Sequence, residues 1–124
     1  MNRVRKALEG KVVLITGATG FLGQPLVEKI LWLVPDVKRI YVLIRPKQEI
    51  DGRITTAQER LTKELFDSSV FDRLYRFHGT GAKKFLEEKL IAVSGDILGE
   101  RLGLDEDTHR RLCGEIDIVI NSAA

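Results

Sequence analysis

Hydrophobic positions fall into two registers along the chain. Four short, nearly unbroken apolar runs, at residues 11–16, 40–44, 90–93 and 116–120, read as strands buried on both faces of a parallel sheet. Between them the apolar positions recur at helical spacing. Leu22, Leu26, Ile30 and Val34, widened by Val27, Leu31 and Leu33, predict a helix that Pro25 enters in its first turn and Pro35-Asp36 ends. Thr56 and Glu59 have capping-box spacing, with Ala57, Leu61 and Leu65 on one face of the helix that follows. A further helical piece is expected at 69–77, broken by Gly79-Thr80-Gly81, and a short one at 82–87. Asp105 caps a last helix through about Leu112, stopped by Gly114.

The order β-α-β-α-β-α-β predicts an α/β fold with a doubly wound (Rossmann) parallel sheet. Right-handed crossovers give the strand order 3-2-1-4. Residues 1–10 read as a polar lead-in. Two crossovers then place their helices on one face and the third places a single helix on the other, which leaves that second face short of cover. Strand 4 belongs in a sheet interior, so residues 11–124 are expected to be the N-terminal half of a larger domain. In isolation that half should be marginal, sticky or oligomeric.

The chemistry concentrates at Gly17-Ala18-Thr19-Gly20-Phe21-Leu22-Gly23, between the first strand and its helix. Three glycines at this spacing make a turn where backbone N–H groups approach a pyrophosphate at a helix N-terminus. Gly17 and Gly20 admit the turn and the close approach, Gly23 serves helix–sheet packing, and Thr16 and Thr19 offer hydroxyls. Phe21 and Leu22 complete the loop and read as packing residues more than ligand contacts. Arg45 lies 22 residues beyond Gly23 at the end of strand 2. A cofactor without a 2′-phosphate normally meets an Asp or Glu there, so a guanidinium favours NADP, with Lys47 adding charge; the plainer reading is a solvated basic residue. Asp96 follows strand 3, either accepting from an adenine amino group with Ile97 on the ring, or capping its loop. Asn121 at the end of strand 4 either braces the sheet edge or meets the cofactor, and Ala123 is small enough for adenosine to lie against.

Composition removes other classes. A net charge of +2 argues for neither nucleic acid nor an anionic membrane as partner. One cysteine, Cys113, excludes an internal disulfide, and with only His78 and His109 beside it no metal site suggests itself. Cys113 is expected to be partly buried beside Leu112, with His109 on an exposed helix face. Neither a signal-peptide core nor a run of about 20 apolar residues occurs, so a cytoplasmic protein without a transmembrane segment is expected.

Thr16-Gly-Ala-Thr-Gly-Phe-Leu-Gly23, Leu43-Ile-Arg-Pro-Lys47, Ser94-Gly-Asp-Ile97 and Ile120-Asn-Ser-Ala-Ala124 together resemble the N-terminal part of extended short-chain dehydrogenase/reductases. Arg60-Leu61, Leu65-Phe66 and Phe71-Asp-Arg-Leu74 narrow the likeness to the fatty acyl-CoA reductases, also called male-sterility-type reductases. The resemblance covers about residues 10–124. It implies an NADPH-dependent oxidoreductase that takes a long-chain fatty acyl-CoA to an aldehyde or alcohol. It also implies cofactor roles for Gly17, Thr19, Gly20, Gly23, Arg45, Asp96, Ile97 and Ala123. The family's acid is a Tyr-x-x-x-Lys tyrosine. Tyr41 is followed four residues on by Arg45 and Tyr75 by Gly79, so no catalytic residue is assigned here and the acid is expected beyond Ala124. Three other readings share the loop: a thioester reductase acting on carrier-bound chains, a nucleotide-sugar epimerase or dehydratase, and a non-catalytic NADP-binding regulator.

Overall fold

The structure, a computed structural model, describes residues 2–122. Helix α1 (Asn2–Leu8) leads into β1 (Val12–Thr16), α2 (Gly23–Leu33) and β2 (Arg39–Ile44). Two-residue strands β3 (Lys47–Gln48) and β4 (Ile54–Thr55) follow, then α3 (Ala57–Leu61), which widens into a π turn over Thr62–Phe66. Next come α4 (Asp72–His78), α5 (Ala82–Lys89), β5 (Leu90–Ser94), α6 (Glu106–Glu115) and β6 (Ile118–Asn121).

The main sheet has the order β5-β2-β1-β6, and every pairing in it is parallel. Counting only these four long strands, this is the expected 3-2-1-4. The antiparallel β3–β4 hairpin, Lys47 opposite Thr55 and Gln48 opposite Ile54, is an addition between β2 and α3 that the apolar pattern did not predict. Because the four strands are parallel, Thr16, Ile44, Ser94 and Asn121 end on one edge of the sheet.

Alternation along the central strands divides the core into two layers. Val13, Ile15, Ile40, Val42 and Ile44 pack with Val27, Ile30 and Leu31 of α2 and with Leu61, Leu65, Phe71, Leu74 and Leu86 from the second crossover. Val12, Leu14, Tyr41, Leu43 and Val93 face the other way, against Leu112 of α6. That second face is better covered than expected. The segment from Gly95 to Leu104 folds back over it, bringing Leu102 and Leu104 into the layer. Val119 on the edge strand β6 remains largely exposed.

Other expectations also need correction. The α2 stripe begins at Leu26, which packs partly buried against the core, and Leu22 and Phe21 stand in solvent at 72% and 93% exposure. The helix starts only at Gly23, so these two residues lie on the connecting turn beyond the end of the sheet. Gly114 does not stop α6, which runs on to Glu115. Leu112 faces the sheet, and the adjacent Cys113 points about 100° away and is exposed. His109 is half-buried, with both ring nitrogens 3.8 Å from the Cys113 sulfur.

Pairing between the helices of the first layer explains the Phe71-Asp72-Arg73-Leu74 segment. Phe71 and Leu74 are fully buried, while Arg73 reaches across to Glu28 on α2. Its guanidinium also lies 4.2 Å from the centre of the Trp32 ring.

Candidate functional site

The glycine loop begins where β1 ends. Gly17 has φ +74°, a left-handed conformation that glycine adopts without strain. The Gly20 amide donates to the Gly17 carbonyl at 3.1 Å, closing the turn. Gly23 lies under it: a Cβ there would overlap the Gly17 carbonyl and stand 2.7 Å from Ala18 Cα. Gly20 differs, since a Cβ there would meet only the Gly17 oxygen, at 3.4 Å. Gly20 is exposed. Gln24 Nε2 ties the loop back by donating to the Thr19 carbonyl at 2.9 Å. Leu22, at the cap of α2, supplies no side-chain acceptor. The positive end of α2 therefore faces an open bend with no side-chain cap on the helix.

The loop forms one wall of a cleft of about 210 Å³ lined by Thr16, Gly17, Thr19, Arg45, Arg60, Asp96 and Ile97, among others. Four separated pieces of sequence thus meet above the strand tips. Arg45 Nη1 is 3.9 Å from Asp96 Oδ2. Asp96 also fulfils its plainer role, as Oδ1 accepts from the Leu98 amide at 3.0 Å and caps its own loop. Its amide donates to the Leu102 carbonyl at 2.7 Å, so the fold-back over the second sheet face also fixes Asp96. The loop is strained there: Arg101 and Leu102 have φ +51° and +60°, which cost about 1 kcal/mol or more each in a non-glycine residue.

The remaining candidates fall elsewhere. Lys47 is outside the cleft lining, because the β3–β4 pairing carries it onto the hairpin. Asn121 braces the sheet: the Thr16 hydroxyl donates to its Oδ1 at 2.7 Å. Ser122 holds the same turn, donating from its amide and its hydroxyl to the Thr16 carbonyl at 3.0 and 2.7 Å. Ala123 lies outside the described residues.

Arg60 is the cleft residue that sequence reasoning missed. Its Nη1 donates to the Arg45 carbonyl at 2.7 Å, linking α3 to the end of β2. The available signal was its place one turn after the Thr56 cap, on a helix returning to that sheet edge. Both tyrosines are committed elsewhere. Tyr41 donates to Glu115 Oε2 at 2.6 Å. Tyr75 donates to the Phe66 carbonyl at 2.7 Å, and burial, with Asp67 nearby, pushes its hydroxyl pKa up.

A glycine turn at a helix N-terminus, set where neighbouring crossovers leave on opposite faces, is the arrangement of dinucleotide-binding α/β domains. The NAD-binding family described as male sterility protein matches residues 15–124. The chain belongs to that family. Its relatives include the chloroplastic fatty acyl-CoA reductase 2 of Arabidopsis thaliana, 43% identical over 94% of this chain and 18% of that protein. The alcohol-forming fatty acyl-CoA reductase of Simmondsia chinensis is 38% identical over 100% of this chain and 24% of its own length. Among solved structures, the reductase domain of a non-ribosomal peptide synthetase from Mycobacterium tuberculosis has a TM-score of 0.68. It is 34% identical over 94% of this chain and 24% of that one. The chain thus spans about a fifth to a quarter of the length of these proteins. A nicotinamide cofactor follows from the family. Among the described residues no helix is long and apolar enough to cross a membrane.

Proposed function

We propose that this chain is the cofactor-binding part of an NADPH-dependent reductase that converts long-chain fatty acyl-CoA to the aldehyde or alcohol. The observation that carries the reading is the cleft itself, where the glycine turn and two guanidiniums, Arg45 and Arg60, converge with Asp96. Gly17, Thr19, Gly20 and the start of α2 would hold the diphosphate, with Phe21 and Leu22 completing the loop beside it and Gly23 packing beneath. Arg45, with Arg60, would take the 2′-phosphate bidentately. Asp96 and Ile97 would receive the adenine, Asn121 would hold Thr16 in place, and Ala123 would border the ribose. Bound there, the nicotinamide supplies the hydride that reduces the thioester carbonyl. Tyr41 and Tyr75 are hydrogen-bonded away from this cleft, and neither is proposed as the proton donor.

The fatty acyl-CoA reductase relatives supply the substrate class, and a cytoplasmic location is proposed with it. A second reading, reduction of acyl groups held on a carrier protein, is favoured by the reductase domains of peptide synthetases among the similar structures. The test is turnover by the intact protein with NADPH and either acyl-CoA or acyl-carrier thioester. Aldehyde or alcohol from acyl-CoA supports the first reading. Product from the carrier thioester alone supports the second, and nucleotide binding without product from either would identify a regulator.

A further inference from the structure

Arg60 is held by a clamp of three hydrogen bonds. Its Nε donates to Glu64 Oε2 at 2.6 Å and its Nη2 to Glu64 Oε1 at 3.0 Å, a two-pronged pair along one side of the guanidinium. The third bond, from Nη1 to the Arg45 carbonyl, fixes the group against the end of β2. Three of the five guanidinium N–H donors are therefore used, leaving one on each terminal nitrogen. Arg60 and Glu64 side chains are only 20% and 34% exposed. Other pairs at the same spacing are looser: Lys83–Glu87 is 4.0 Å apart at 85% and 55% exposure, and Arg110–Glu106 meets through one contact of 3.2 Å at 70% and 71%. Such exposed single contacts contribute little, whereas a half-buried fork restricts orientation.

Glu64 sits in the π turn Thr62–Phe66, closed by the Asp67 amide donating to the Thr62 carbonyl at 2.9 Å. A π turn is rare and is found disproportionately near functional sites. The charged side chains that line the cleft are Arg45, Arg60 and Asp96, with Glu64 paired to Arg60 from outside the lining. Each guanidinium already faces a carboxylate, Arg45 that of Asp96 and Arg60 that of Glu64, so selection of a phosphate depends on where the remaining N–H groups point.

We infer that Glu64 is a positioning residue for cofactor selection: it orients Arg60 so that its spare donors, with Arg45, match a phosphate on the ribose. This rests on the reading of the cleft as an NADPH site. Without Glu64, Arg60 keeps its charge and its bond to the Arg45 carbonyl but loses the two contacts that set the plane of the guanidinium.

The test is titration of the intact protein with NADP+ and NAD+ at two salt concentrations, for wild type, Glu64→Ala, Glu64→Gln, Arg60→Ala and the double variant Arg60→Ala/Glu64→Ala. Glu64→Ala should weaken NADP+ binding about tenfold, leave NAD+ binding unchanged and steepen the salt dependence for NADP+. Glu64→Gln, which still accepts one hydrogen bond, should recover part of the loss. In the Arg60→Ala background, Glu64→Ala should add nothing. Equal losses for both nucleotides, an unchanged or tighter NADP+ complex, or additive losses in the double variant would each overturn the inference while the site reading stands. A wild-type protein that prefers NAD+, or binds neither, would overturn that reading and the inference with it.

Discussion

Gly23 packs directly beneath Gly17, leaving no room for a methyl group between the first turn of α2 and the loop backbone. Gly20, three residues earlier, has open space above it. The two glycines therefore make opposite predictions. Gly23→Ala should destabilise the protein by about 3 kcal/mol or more, because backbone rather than a mobile side chain is in the way. Gly20→Val should cost less than about 1 kcal/mol, yet abolish nucleotide binding by filling the approach to the diphosphate. Denaturant melts and nucleotide titration on both variants check the pair.

Arg101 lies in the left-handed region on an exposed loop. Arg101→Gly removes that strain but adds freedom to the unfolded chain, and the net expectation is a gain of about 0.5 kcal/mol. A raised denaturation midpoint checks it, and a lowered one would mean that the arginine side chain contributes contacts that outweigh the strain.

The Glu28 carboxylate is buried and depends on Arg73, which donates two hydrogen bonds at 2.7 and 3.0 Å. Arg73→Ala leaves that charge without its partner and should lower the melting temperature by several degrees. Adding Glu28→Gln to Arg73→Ala should restore part of the loss, since the remaining group is then neutral.

Acid sensitivity should trace partly to helix caps. The Asp105 carboxylate accepts from the Thr108 amide and hydroxyl, which holds its pKa below the ordinary value. Glu59 is lowered likewise by the Thr56 amide and hydroxyl. A carboxylate with a lowered folded pKa contributes its stability in full above its unfolded value near about 4, and loses it as pH falls through the folded value. Asp105→Asn retains a cap without that titration. Its stability relative to wild type should therefore rise as pH is lowered from about 5 to about 3, as read by urea unfolding at each pH.

The strands, the glycine turn and both capped helices were legible because each depends on local pattern: apolar runs, Gly17 and Gly23 at fixed spacing, and Thr56 and Asp105 before helical periodicity. The β3–β4 hairpin was not, since two-residue strands such as Lys47–Gln48 are too short to show alternation. Periodicity also extended the α2 stripe to Leu22, because spacing alone does not show where a helix first meets its sheet. The cover over the second face depends on consecutive left-handed residues at Arg101 and Leu102, for which neither residue type gives a signal. Arg60 escaped notice for a similar reason: its role depends on tertiary contacts to Glu64 and to the Arg45 backbone.

Selectivity at Arg45 tests the whole account most directly. Titration of the intact wild-type protein should show NADP+ bound at least about 100-fold more tightly than NAD+. Arg45→Asp should bring that ratio close to unity by weakening NADP+ while sparing NAD+. Losses of equal size for the two nucleotides, or an undiminished preference for NADP+ in the variant, would contradict it.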